Sequence, residues 1–575
     1  MEQFPCTSSM KSNKTKHTPI LKALLWALPV LLLAYACAHV VAPTGGPRDE
    51  DPPVVVRSTP PNRSANFTDD QIRIFFDEFI TLRNIRQQLL ISPPMEQLPE
   101  IRVRGRSIII DIEETLRPNS TYNFFFGDAI RDITEGNAIP SFQFVFSTGD
   151  YVDSLAVSGK VRNAFNLKPE RGIYVMLYDN IHDSVPLLER PVYLAKTDAE
   201  GRFTISNIAD GEYRMFALDD KNNNFRYDLP DERIGFVDSL VRPVYIPGFW
   251  DREEGDTLPA PVAPVEYTIA LFQEKDTVQR VLSSALSRRG LITVAFRVPF
   301  DSAYVREIRE PFESEWHISE FGRQRDTLKL WFAETGRDSL FLEIRDGDRV
   351  LDTIRRATTP RRTRDRDDEE EQLLNIAPDF RRPRAVPFFQ PLAFKSDHPI
   401  EAIDTTKISV YIHDSVPLPY TFRFSDHVRR RIEMDPPLQE ETNYRITLLP
   451  GAFTDIFGLT HDTLTTRFST TSQENYGNIF MEMAMPVNGL QYVLQLLDLN
   501  ENVLQEKVIH SEGTYVFRHL SAGRYRLRLI EDLNHNGRWD TGHYIRGIQP
   551  EPVHMLPDTI QVRENWDIER PWVIR

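Results

Sequence analysis

From residue 52 onward the apolar positions fall into short runs. Many of these alternate with polar positions, and Pro, Gly, Asn and Asp clusters separate them. Ile72-Arg73-Ile74-Phe75-Phe76 alternates, 107–112 is a β-branched run, and 122–126 and Phe142-Gln143-Phe144-Val145-Phe146 follow. The same pattern returns at Val157-Ser158-Gly159-Lys160-Val161, 173–178 and 196–205, then at 267–272, 292–298, 326–332 and 339–344. A period of two over five to eight residues, bounded by turn formers, predicts half-buried strands. Strands this short at this spacing predict β-sandwiches. The fold class expected is all-β.

The one long apolar run lies elsewhere, at Leu24-Leu25-Trp26-Ala27-Leu28-Pro29-Val30-Leu31-Leu32-Leu33. Lys11, Lys14, Lys16 and Lys22 precede it, and the run is too short and too Pro-interrupted for a comfortable spanning helix. A basic region, a short apolar region and small residues at Ala34 and Ala36 spell a signal peptide, starting at Met1 or at Met10. Cys37 directly after the cut resembles the bacterial lipobox, in which the thiol is acylated and becomes the first residue. The rival reading is ordinary secretion with Cys37 a chance neighbour. Ala38 after the cysteine resembles lipoproteins sent to an outer membrane, and 40–53 reads as a Pro/Gly/Asp tether.

Within 52–148, Pro60-Pro61-Asn62, Phe76-Asp77-Glu78-Phe79, Leu116-Arg117-Pro118-Asn119-Ser120-Thr121-Tyr122, Asp132 with Gly136-Asn137, and Phe144-Val145-Phe146-Ser147-Thr148 stand out. Together they resemble the bacterial Ig-like domain of the S-layer-protein type. Segment 155–236, with Thr197-Asp198-Ala199-Glu200-Gly201-Arg202-Phe203 and Gly211-Glu212-Tyr213-Arg214, resembles the carboxypeptidase-regulatory, transthyretin-like sandwich. The resemblance implies a module that accompanies peptidases without doing their chemistry.

Both patterns occur twice. Gly201, Gly211 and Asp220 return as Gly513, Gly523 and Asp532, each 312 positions on (532 minus 220). Leu116…Tyr122, Asp132 and Phe146-Ser147-Thr148 are echoed by Leu438…Tyr444, Asp455 and Phe468-Ser469-Thr470. So few and such long repeats indicate duplicated modules and not a solenoid. The expected organisation is a signal peptide at 1–36, a lipid-anchored tether at 37–51, an Ig-like domain at 52–149 and a transthyretin-like domain at 150–246. A further sandwich follows at 247–360, then a charged linker at 361–385, a second Ig-like domain at 386–472 and a second transthyretin-like domain at 473–575.

Charge and cysteine content narrow the function classes. The 68 Lys and Arg stand against 84 Asp and Glu, a net charge of -16, which argues against nucleic-acid binding. Residues 1–36 carry four Lys and one Glu, so the exported chain is more acidic still. Of the 2 cysteines, Cys6 leaves with the signal and Cys37 is blocked by lipid. An exported chain with neither a disulfide nor a free thiol must fold by packing alone.

The best candidate for site chemistry is 532–540. Asp532, Asn534 and Asn536 stand at loop positions one, three and five, Gly537 at six, the Arg538 carbonyl at seven and Asp540 at nine. That matches the first part of a calcium loop, because a hard cation needs six to eight oxygens that alternate residues of a tight loop can point inward. His543 stands where a bidentate Glu is wanted, so Glu531 or Glu551 would have to substitute. The duplicate loop carries Asp220, Asn222, Asn224 and Asp228, with Asp231 or Glu232 as late ligands and Phe225 in place of Gly. The competing reading is a pair of Asx turns. Calcium is the one cofactor these loops point to.

Enzyme signatures are wanting: there is no Gly-x-Ser-x-Gly, no His-Glu-x-x-His and no phosphate loop. Asp77-Glu78 and Glu113-Glu114 are read as adjacent acids facing opposite sides of a strand. Trp250, Trp316, Trp331, Trp539, Trp566 and Trp572 are possible sugar platforms, although Trp331 reads as core and Trp539 as the cap of a small one. The expectation is a non-catalytic, exported lipoprotein of the cell envelope. It would be anchored through Cys37, at the outer membrane, facing the periplasm or the cell surface. Its role would be that of a scaffold, spacer or interaction module with an envelope protein or glycan partner. Carbohydrate or peptidoglycan binding, and an enzyme of unrecognised chemistry, are the alternatives.

Overall fold

The computed structural model describes residues 49–246, 266–276, 278–333, 335–359, 373–380, 385–485 and 489–574. The signal peptide, Cys37, Trp250 and the charged run 361–372 lie outside the described residues. The described chain is all-β: strands dominate, and the helices are single turns such as Ile85–Gln88 and Val185–Leu188.

Five principal cores follow one another along the chain. The first gathers Ile72, Ile74, Phe76, Ile108, Ile110, Phe124, Phe144 and Phe146, the alternate residues of its strands. Sheet Val55–Thr59, Gln71–Phe76, Ser107–Asp111, Glu100–Val103 packs there against sheet Leu90–Ser92, Thr121–Gly127, Phe142–Ser147. The fourth core, around Phe394, Ile432, Tyr444 and Phe453, has the same layout. Its sheet Ile376–Pro378, Leu392–Ser396, Arg431–Asp435, Thr421–Phe424 follows the strand order of the first sandwich.

Local details repeat with the layout. Tyr122 Oη accepts the Arg117 N–H at 2.9 Å, and its ring stacks 5.5 Å from Phe146. Tyr444 Oη accepts the Gln439 N–H at 2.7 Å, and its ring stacks 5.4 Å from Phe468. Such a tyrosine bonded back to the chain a few residues upstream pins the corner of a sandwich.

The second and fifth sandwiches share another plan. A central strand (Leu155–Asn163 or Tyr476–Ala484) pairs antiparallel on one side with Arg202–Ile208 or Gly513–Ser521. On its other side it pairs parallel with Tyr267–Leu271 or Asp567–Val573. Tyr213 Oη donates to the Ala209 carbonyl at 3.0 Å and Tyr525 Oη to that of Ser521 at 2.6 Å, the same bond in both copies.

Two expected boundaries are corrected. Strand 267–272, assigned to the third sandwich, instead completes the second: Gly159 to Asn163 hold it in parallel register, and Ile269 and Leu271 are fully buried in the second core. The third core therefore begins with Val281–Arg288 and centres on Ile292, Val294, Leu328, Leu330, Leu342 and Ile344. The charged linker also stops short of 385. Leu374 and Ile376 are buried in the fourth core, and Ile376–Pro378 pairs with Leu392–Ser396. In both places a few apolar residues beside a polar stretch are claimed by a distant sheet, and periodicity along the chain does not reveal that partner.

Candidate functional site

The second and fifth sandwiches dock on each other through sheet faces that are apolar on both sides. Tyr174–Tyr178 is buried at every position. Val175 and Leu177 face the second core, whereas Tyr174, Met176 and Tyr178 face outward with Phe216, Leu218 and Phe236. A sandwich strand exposed on one side should alternate with polar residues, so an outward row of this kind needs a cover. The cover comes from the fifth sandwich. Tyr544, only 4% exposed, inserts among Phe216, Tyr227 and Phe236 at ring distances of 5.7, 5.9 and 6.1 Å. Around it, Thr541 Oγ1 donates to the Gln273 carbonyl at 2.7 Å, and Gln549 Nε2 donates to the carbonyl of Phe236 and the carboxylate of Asp238.

The docking is reciprocal. Val493, Ile530 and Val553 form an outward cluster on the fifth sandwich, covered by Phe165 and Leu167 of the second. Phe165 packs 5.0 Å from Trp539, and Arg528 Cζ lies 4.1 Å from its ring. Burial drives the Arg528 guanidinium below its ordinary value, and Glu501 and Glu506 oppose this. Lys168 pairs with Glu501 at 2.7 Å at the rim. Trp539 thus caps a small core, as expected, but two members of that core, Phe165 and Leu167, belong to the other copy.

The third and fourth sandwiches meet at Trp331. Its Nε1 donates to Glu320 at 2.7 Å, and Arg288 and Arg430 approach its ring at 4.8 and 4.9 Å. Glu320 also accepts from Lys329 at 3.0 Å and Arg430 at 2.9 Å. Burial alone would raise its carboxyl, but the bonds from Trp331 and Lys329 and the Arg430 charge hold it below its usual range. With Phe389 stacked on His519 at 3.8 Å between the fourth and fifth, the second to fifth sandwiches close into a circuit. The first joins it through Asn123, which donates to Ser206 at 3.0 Å, and through Ser92, whose Oγ accepts the Leu194 N–H.

The two Asp/Asn loops stand beside this docked face, and the structure brings each named set together. In the later loop Asp532 is fully buried and accepts the N–H groups of Asn536 and Gly537, at 3.1 and 2.7 Å. Asn534 and Asn536 donate their amides to Asp540. In the earlier loop Asp220 accepts from Asn223 and Phe225, and Asn222 and Asn224 donate to Asp228. The Arg226 and Arg538 N–H groups donate to Asn224 and Asn536 at 2.7 and 2.9 Å.

Each loop also gains a buried glutamate. Glu232 bonds the N–H groups of Lys221 and Asp228, and Glu551 those of Leu533 and Asp540. The two are equivalent by partner although they sit 12 and 19 positions after the loop aspartate (232 minus 220, 551 minus 532), and fixed spacing hides that equivalence. Burial raises Glu551, helped by the charges of Asp532 and Asp540. Asp532 is lowered: burial opposes ionisation, and the bonds from Gly537, Gln491 and Asn536 outweigh it. Among the described residues no three His, Cys, Asp or Glu side chains are grouped as a metal centre would require.

The reading of Glu113 and Glu114 is corrected, and two other placements stand beside it. Phe225 does adopt the left-handed conformation (φ 60°), with its ring set edge-on 5.2 Å from Tyr174. Glu113 and Glu114 lie beyond the strand end at Asp111 and converge on Gln97, whose side chain and backbone N–H they accept at 3.0 and 2.8 Å. His398 is half-buried, with Nδ1 2.6 Å from Asp455. Of the tryptophans, Trp331 and Trp572 are buried and Trp316 stacks on Phe312, whereas Trp566 is 56% exposed.

Residues 49–148 match the family model of the bacterial Ig-like domain, so the chain carries a domain of that family at the start of its described region. Among solved structures the chain is similar to BcpA, the major pilin subunit of Bacillus cereus, at 11% identity and a TM-score of 0.14, covering 73% of this chain and 99% of the pilin. It is similar to the S-layer protein SbsC at 10% identity and a TM-score of 0.14, covering 89% of this chain and 67% of that one. It is also similar to part of Escherichia coli alpha-2-macroglobulin at 11% and 0.17, covering 50% and 98%. At such scores these likenesses carry no argument about function. No curated protein matches the chain.

Proposed function

We propose that this chain is a non-catalytic scaffold of the cell envelope. Exported and lipidated on Cys37, it is held at the outer membrane with 40–53 as slack, and it offers its sandwich faces and loops to an envelope protein or glycan. The observation that supports a scaffold over a simple spacer is the reciprocal docking of the second and fifth sandwiches through Tyr544 and Phe165. A spacer needs only length. Modules locked face to face fix the relative positions of their free loops, as a multi-point interaction surface requires.

Carbohydrate binding is the second reading, and the exposed Trp566, with Arg563 5.1 Å from its ring, favours it. Calcium is proposed as the ion of the Asp532 loop and, by duplication, of the Asp220 loop. The reading is supported by the same Asp, Asn, Asn, Asp set closing one tight loop in both copies. Affinity capture of the anchored chain from envelope membranes tests the main reading. A constant envelope protein or glycan supports it, and a soluble substrate turned over with no such partner overturns it.

A further inference from the structure

A cleft of about 900 Å³ opens where the docked fifth sandwich meets the third. Its walls come from three stretches far apart in sequence: Lys275 in the link between the second and third sandwiches, Arg297 to Asp326 of the third, and Arg538 to Thr541 of the fifth. Five cations line it (Lys275, Arg297, Arg323, Arg325, Arg538) against three carboxylates (Asp301, Asp326, Asp540). That reverses the balance of a chain with 84 acidic and 68 basic residues.

Local pairing sharpens the asymmetry. Arg297 is neutralised by Asp276 at 2.7 Å. Arg325 is held in place by neutral acceptors, the carbonyls of Phe300 and Asp301, so it is oriented and keeps its charge. Asp540 is engaged by the amides of Asn534 and Asn536, and Asp326 by the Thr327 hydroxyl at 3.1 Å. Lys275, Arg323 and Arg538 make no ion pair among the described residues, and all three side chains are exposed towards the cleft. Like charges converging on one concavity repel until an anion arrives, and concave walls focus their field. Guanidinium groups present planar donor pairs that match the oxygens of phosphate. The volume falls in the range of small-ligand sites and is far too small to admit a bilayer surface.

We propose that this cleft binds a multiply charged phosphate-class anion, with Arg323 and Arg538 as its principal contacts and Lys275 and Arg325 in support. Its walls belong to modules held together by the closed circuit of contacts, the Tyr544 docking among them, so the ligand also favours the closed arrangement. The site rests on that docking and is independent of the envelope reading.

The test is calorimetric titration of tripolyphosphate into the detergent-solubilised full chain, in calcium-free buffer at two salt concentrations. Saturable single-site binding is expected, weakened at least tenfold by Arg323→Gln with Arg538→Gln and weakened by added salt, with the variant melting as the parent does. Binding that is absent, or equal in parent and variant, overturns the proposal. Vesicles of phosphatidylglycerol distinguish a free oligophosphate from a lipid headgroup. They are expected not to compete, and competition at equal headgroup concentration would place the anion on an open surface and contradict the cleft.

Discussion

Phe165 of the second sandwich and Trp539 of the fifth lie with their rings 5.0 Å apart, and the Trp539 Nε1 donates to the Glu551 carbonyl at 2.9 Å. One contact thus joins the two copies of a duplicated module to the loop that carries their shared Asp/Asn pattern.

The docking depends on Tyr544 more than on any rim charge. Truncating a buried aromatic costs on the order of 3 kcal/mol. Tyr544→Ala is therefore expected to release the fifth sandwich while each core stays folded. Hydrogen exchange should rise at 541–549 and at Tyr174–Tyr178, and small-angle scattering should report a larger radius. Unchanged exchange at both segments would contradict this role.

Glu320 makes the third and fourth sandwiches sensitive to acid. Its folded value lies below the ordinary one, so its contribution is present above about pH 4.5 and is lost as the pH falls through the folded value. Glu320→Gln is expected to cost about 2 kcal/mol near neutrality and to flatten the melting temperature between pH 5 and pH 3. A variant whose acid profile parallels the parent's would show that the Trp331 interface does not rest on this carboxylate.

The two tyrosine corners should behave alike. Tyr122→Phe and Tyr444→Phe each leave one backbone N–H, of Arg117 or Gln439, without its acceptor, at a cost of about 1 kcal/mol each. Chemical denaturation of the two variants checks this. A loss in only one of them would mean that the copies have diverged in what holds their corners.

Calcium should raise the melting temperature of the parent chain and chelator should lower it, whereas Asp532→Asn should respond less. A shift of a few degrees corresponds to about 1 kcal/mol for a unit of this size. Identical melting with and without chelator would mean that the loops are held by their Asx bonds alone.

Much of the fold was legible because the core strands obey a period of two. Gln71–Phe76, Thr121–Gly127, Phe142–Ser147 and Ser339–Asp346 lie within a residue or two of where alternation places them. Tyr267–Leu271 was equally visible as a strand and was assigned to the wrong sandwich, because pairing partners are set by sheet geometry and not by local pattern. The Asp/Asn loops were legible through their spacing, and Glu232 and Glu551 appeared only as alternatives because differing insertions carry them to the same place. The docked face left a signal that was underused. Tyr174 to Tyr178 contains no polar alternation, and a strand apolar on both sides announces a second covering layer without saying which residues supply it.

The docking of the second and fifth sandwiches on each other can be measured at Lys168 and Glu501, which lie 2.7 Å apart across the interface. A carbodiimide joins amine to carboxylate only at contact, and Lys329 with Glu320 at 3.0 Å supplies a control within one sandwich. Peptide mass spectrometry of the monomeric chain is expected to find both links, with the Lys168–Glu501 link falling sharply in Tyr544→Ala and the control unchanged. Recovery of the control link alone from the parent chain would contradict the docked arrangement.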